Sequence, residues 1–175
     1  MRFDMEAAMR DYVARRDITD AVHRYMRGLD RLDAAMLRSA FHDDAYVETR
    51  VMQGSADAFT AFAQGHLAAM IASHHFLGQV RIDMHDGEHA SGECYFQAWH
   101  AIRDAQGEPR DLFIAGRYID EYSCKNGAWR ISRRKLVTDW IKNDRADHGY
   151  LENEKDSHIG RRRGTDFSDL RNWPL

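Results

Sequence analysis

The chain has 175 residues, 43% hydrophobic and 30% charged, with a net charge of −3, which suits one domain with a real core. No basic stripe precedes the last fifteen residues, so nucleic acid is not an expected partner. Apolar runs of only a few residues exclude a bilayer-spanning segment, and a charged N-terminus, "MRFDMEAAMRDYVARRD", excludes a secretory leader, so a cytoplasmic protein is expected.

Residues 4–29 read as a helix, with Ile18, Val22, Met26 and Leu29 at helical spacing and Arg15, Arg16, Asp20, Arg24 and Arg27 opposite. Gly28 lies near its end, where it would loosen the last turn. "DAAMLRSAF" (33–41) predicts a short helix capped by Asp33. "HDDA" then reads as a turn and "YVETRV" (46–51) as a strand. Residues 55–73 predict a third helix, capped by Ser55, with Phe59, Phe62, His66 and Met70 along one side. Four long strands follow, at 75–84, 90–103, 111–124 and 128–141, joined by "HDGEH", "DAQGEP" and the hairpin signal Asn126-Gly127. Helices first and a strand meander after them predict an α+β fold, with helices on one face of a curved antiparallel or mixed sheet. This domain is expected to span 1–142. From 143 to 175 the periodicity fails, yet Tyr150, Leu151, Phe167, Leu170 and Trp173 are anchors for an extension lying on the domain or on a neighbouring subunit.

Cys94 and Cys124 belong to no CxxC and read as reduced thiols. "HDGEH" holds metal-capable residue types but is too short and turn-like for a closed site, so no metal is expected. No phosphate-binding glycine loop and no G-x-S-x-G elbow is present, which argues against nucleotide chemistry and acyl-enzyme hydrolysis.

"ITDAVHRYMRGLDRLD", "SHHFLGQVRIDM" and "FIAGRYIDEYSCKNGAWRISRRKLVTDW", in this order and spacing, resemble the SnoaL-like branch of the nuclear-transport-factor-like superfamily over residues 12–142. Within that branch the chain is most similar to γ-hexachlorocyclohexane dehydrochlorinases and scytalone dehydratases. The resemblance implies a cone-shaped α+β barrel, three helices and a bent sheet around one pocket. It also implies a cofactor-independent lyase that takes a proton from a small hydrophobic, aromatic or phenolic compound and expels water, an aldehyde such as formaldehyde, or halide. No cofactor is implied. An isomerase or cyclase using the same residues, and a non-catalytic binding or dioxygenase-subunit-like protein, are the alternatives. A homotrimer or homodimer is expected.

By position, the resemblance places an aspartate–histidine dyad on Asp30 and His75, a leaving-group arginine on Arg134 and a second pocket histidine on His100. A lysine that the dehydrochlorinase carries one turn before its aspartate is replaced here by Tyr25, which puts chloride loss in doubt. A histidine titrates near neutrality, and a carboxylate beside it fixes its tautomer and stabilises the imidazolium. Tyr25, Tyr46, Trp99 and Tyr118 are candidate pocket donors, and Arg117 competes with Arg134 as the fixed cation. Strict alternation would send His74 inward with Phe76, Val80, Ile82 and Met84. The family alignment selects His75, and a bulge at Gly78 would reconcile the two.

Overall fold

The structure is a computed structural model describing residues 4–153 and 159–173. Helix α1 (Met5–Asp30) starts where Asp4 accepts hydrogen bonds from the amides of Glu6 and Ala7. It buries Ala14, Ile18, Ala21, Val22, Tyr25, Met26 and Leu29. Asp33 caps α2 (Ala34–Ser39) by accepting from the amide of Met36. Gly28 permits a close crossing rather than loosening a turn: a Cβ there would stand 2.5 Å from the Leu37 amide nitrogen. The turn between these helices holds Leu32 at φ 51°.

Strand β1 (Phe41–Glu48) begins earlier than expected and takes in the "HDDA" segment. Its pairing slips between Phe41 and Tyr46, so the segment is an irregularity inside a strand rather than a turn. A short β2 (Gln53–Ser55), unseen in the sequence, returns antiparallel to β1. Ser55 then caps α3 (Ala56–Ala68), which stops five residues short of its expected end at 73 because β3 already starts at Ala72. Strands β3 (Ala72–Met84), β4 (His89–Arg103), β5 (Pro109–Lys125) and β6 (Ala128–Arg145) form the meander. Asn126 and Gly127, at φ 53° and 77°, make its last tight turn.

The six strands lie in the order β2-β1-β6-β5-β4-β3, with β1 parallel to β6 and every other pair antiparallel. Register shifts between Leu77 and Val80, Ala115 and Gly116, and Glu121 and Tyr122 bend the sheet. Gly116 sits at one of these bends; a Cβ there would lie 2.1 Å from the Val137 carbonyl oxygen. The concave face and the helices bury Ile18, Val22, Tyr25, Leu29, Phe41, Phe59, Phe96, Tyr118 and Ile131 in one core. Two short helices beyond the expected three, α4 (Gly149–Asn153) and α5 (Phe167–Leu170), belong to the C-terminal segment. Among the described residues no helix is long and apolar enough to cross a membrane.

Candidate active site

A chamber of about 340 Å³ opens between α1, α3 and the concave sheet face. Its walls are mainly apolar, with Leu29, Phe59, Phe96, Leu112, Ile114 and Leu136 among them. That volume suits a small-molecule ligand. A wider groove of about 590 Å³ lies outside, between the first half of α1 and the turns at Gly87 and Gly127. It holds no histidine and is rimmed by Glu6, Arg10, Asp11, Asp17 and Asp86.

The end of α1 and the start of β3 meet at the chamber wall. Asp30 is free to turn there because Asp33, not Asp30, caps α2. Its Oδ1 lies 2.7 Å from His75 Nδ1, and its Oδ2 accepts from the His75 amide at 2.8 Å. The side chains are 13% and 7% exposed. The parity of β3 explains why His75 turns inward. Ser73, His75 and Leu77 are more buried than His74 and Phe76, whereas beyond the shift at Gly78 it is Val80, Ile82 and Met84 that are more buried. One extra residue at the bulge lets both the dyad histidine and the apolar run face the same side.

Burial works to raise the Asp30 pKa, but the hydrogen bonds and charge of His75, with a smaller contribution from His74, outweigh it and hold the carboxyl below its usual range. An ionised carboxylate only accepts, so His75 Nδ1 carries the proton, and in the neutral ring Nε2 has the lone pair. His100 meets His75 edge-to-face, with ring centroids 5.3 Å apart. Burial first, and the neighbouring His75 second, push the His100 pKa down to about 4. His100 is therefore neutral near pH 7; its Nδ1–H donates to the Leu112 carbonyl at 3.3 Å, leaving Nε2 as an acceptor. Tyr25 and Tyr118 also line the chamber, and burial raises both phenol pKa values, so both stay protonated.

The structure thus brings Asp30, His75, His100, Tyr25 and Tyr118 together. It does not bring the remaining candidates to the chamber. Arg134 is fully buried behind the wall, where Nε and Nη2 donate to Asp120 at 2.7 and 2.6 Å. Its guanidinium is sandwiched between the Tyr25 and Tyr118 rings, 4.1 and 4.2 Å from their centroids. It packs against two chamber aromatics, and its Nη1 is buried without a hydrogen-bond partner among the described residues. Arg117 is paired with Asp139 and Glu93 on the other side of the sheet surface. Tyr46 is exposed and donates to Gln53, and Trp99 donates to Asp111 at 2.7 Å. Of Met26, Met52, Met70 and Met84, only Met70 lines the chamber.

Sequence reasoning missed the mouth. Phe62 and His66 stack there, 5.5 Å apart and nearly parallel, and their shared helix face was the available signal. Arg50 and Val51 reach the mouth from the β1–β2 turn, which Thr49 Oγ1 holds by accepting from the amides of Val51 and Met52. Nothing in the local sequence marks this turn, since the strand was expected to run through it.

Residues 10–135 match the sequence profile of the SnoaL-like domain. Terrestric acid biosynthesis cluster protein E of Penicillium crustosum is 29% identical over 139 residues, covering 75% of this chain and 87% of that protein. Among solved structures, a type 2 hexachlorocyclohexane dehydrochlorinase (LinA) superposes with a TM-score of 0.73 at 16% identity, covering 81% of this chain and 95% of its own. A scytalone dehydratase candidate from Novosphingobium aromaticivorans superposes with a TM-score of 0.69 at 20% identity, covering 80% and 93%. At these identities the structural likenesses speak to the fold.

Proposed function

The chain belongs to the SnoaL-like domain family, and from that premise we propose that it is a cofactor-independent lyase acting on a small apolar, aromatic or phenolic compound. The observation that carries this is the 2.7 Å contact between Asp30 and His75 at the wall of an apolar chamber. His75 Nε2 takes a proton from carbon or oxygen. Asp30 holds the tautomer before transfer and the imidazolium after it. His100 Nε2 accepts from a substrate hydroxyl, which favours phenols and enols over fully substituted rings. Tyr25 and Tyr118, as protonated phenols, donate to the departing or developing anionic oxygen. The group lost is water, an aldehyde or halide; the dehydrochlorinase and dehydratase among its fold neighbours support elimination as the reaction type.

One observation favours a second reading. Asp120 holds Nε and Nη2 of Arg134, and the guanidinium is not part of the chamber lining, so no fixed cation from β6 faces a leaving group, and an isomerase that returns the proton would need none. Product mass separates the two: an isomer keeps the substrate's mass and an elimination sheds a fragment. A panel of hydroxylated aromatics is incubated with the protein and with His75→Gln and Asp30→Asn. Conversion that disappears in both variants supports the dyad as catalyst. Conversion that persists in both at the parent rate overturns the dyad as catalyst, and binding of the compounds with no conversion by the parent protein favours a binding role. The proposal includes self-association as dimer or trimer, supported by the exposed Phe76, Tyr95, Ile119 and Trp140. Sedimentation at micromolar concentration giving only monomer would remove that part.

A further inference from the structure

The residues after the family domain come back to the dyad. Beyond Ile159 the chain runs along the end of α1. There the Arg163 amide donates to the Arg31 carbonyl at 2.8 Å, and Arg31 Nη1 donates to the Arg161 carbonyl at 3.3 Å. Asp166 locks this strap from within: it accepts from the Arg161 and Ser168 amides and pairs with Arg31. Asp169 adds an ion pair with Arg27 at 2.6 Å. The Arg162 guanidinium turns the other way, into the protein. Its Nη1 donates to the carbonyls of Leu67 and Met70, at 3.0 and 3.3 Å, and its Nη2 donates to Ser73 Oγ at 3.1 Å.

Those partners are not scattered. Arg31 follows Asp30. Ser73 precedes His75 by two residues, on the same inward side of β3. Leu67 lies in the last turn of α3, whose last carbonyls carry the negative end of the helix dipole, and Met70 follows its cap. One strap therefore ties together the end of α1, the end of α3 and the start of β3. The relative placement of the first and last of these sets the Asp30–His75 distance.

We propose that Arg162 is a positioning residue for the Asp30–His75 dyad, delivered by a strap from outside the SnoaL-like domain. This rests on the dyad reading above. Arg162 acts in two ways. Its planar fork fixes Ser73, and with it the register of β3 at His75. Its charge lies within electrostatic range of Asp30, which stabilises it. The same charge opposes protonation of His75. The other titratable groups around the dyad are His74 beside it and His100 from β4, with His66 from α3 acting on His100.

Histidine-resolved NMR titration of the full chain tests this without a substrate. In Arg162→Gln the His75 midpoint is expected to rise by about half a pH unit, as a nearby like charge is removed. Its Nδ1–H signal is expected to broaden through faster exchange with water. In Arg162→Lys, which keeps the charge but not the fork, the midpoint returns towards the parent while the broadening remains. In Ser73→Ala the signal broadens with the charge still present; if Arg162→Gln does not fold, this variant decides the matter. Parent-like midpoints and Nδ1–H signals in Arg162→Gln and Ser73→Ala would overturn the proposal. An Asp30→Asn spectrum with His75 unaltered would overturn the dyad reading beneath it.

Discussion

Asp30 and Asp120 are both carboxylates removed from water, and each is hydrogen-bonded to a nitrogen base on a strand, His75 for the first and Arg134 for the second. Asp30 pairs with an imidazole that lines the chamber and has a second ring nitrogen not engaged by the carboxylate. Asp120 pairs with a base that never deprotonates. Both its oxygens are engaged, with Tyr122 OH donating to Oδ2 at 2.7 Å, and both side chains are 0% exposed. The same donor and acceptor chemistry therefore yields the proposed proton carrier in one place and a sealed brace in the other. What separates them is the partner's pKa and a free valence facing open volume. Cys94, beside Asp120 and Tyr122, follows the brace: burial first and the Asp120 charge second push its thiol up to about 11, so it is inert as a nucleophile near neutral pH.

The contrast breaks if the two pairs respond alike to mutation. His75→Gln and Asp30→Asn are expected to lower turnover by roughly 10²–10⁴-fold while the chain stays folded. Asp120→Asn strands a buried guanidinium and is expected to lower unfolding stability by about 3–5 kcal/mol in urea titrations. If the Asp120 variant stayed as stable as the parent, the brace would not be one.

The two chamber histidines sharpen the comparison through pH. His100 is neutral when folded, with a pKa lowered from 6.5 to about 4, and an unfolded chain would protonate it well above that. Between those values the unfolded state binds more protons, so stability falls as pH falls, by about 3 kcal/mol across the window. His100→Gln should flatten this part of the stability–pH curve. Asp30, with its pKa depressed, contributes stability that is present above its unfolded value near 4 and is lost below it, so its loss adds only at more acid pH. A curve equally steep in the His100 variant would mean that the imidazole is not held neutral by burial. The smallest effect is expected at Arg117, whose pairs with Asp139 and Glu93 are partly solvent-exposed. Arg117→Ala should change stability by less than about 1 kcal/mol and leave turnover unchanged.

How far the sequence reveals this site depends on what each residue's position encodes. The α1 stripe and the four long strands were legible because burial repeats with the period of the element. Asp30 and His75 were legible only through the family resemblance, because simple alternation points to His74. The Gly78 bulge is a property of the pairing with β4, and no local pattern records it. Arg134 shows the opposite failure. Its place on the last strand was legible, but its engagement with Asp120 on β5 depends on a cross-strand register, Asp120 opposite Arg134, that one strand alone cannot reveal. Trp99 was read as a pocket donor for a similar reason. Its indole is taken up by Asp111 on the adjacent strand, where His148 Nε2 also meets that carboxylate at 2.8 Å. The strap was legible only as a set of apolar anchors; that Arg162 reaches carbonyls at the end of α3 is a tertiary contact no local pattern records.

Heteronuclear NMR of the imidazole nitrogens at neutral pH addresses the central contact most directly. An ionised Asp30 holding the ring by Nδ1 requires the neutral His75 ring to be the Nδ1–H tautomer, and Asp30→Asn to abolish that preference. A His75 ring that is Nε2–H, or that averages both tautomers and ignores the Asp30 substitution, would contradict the account.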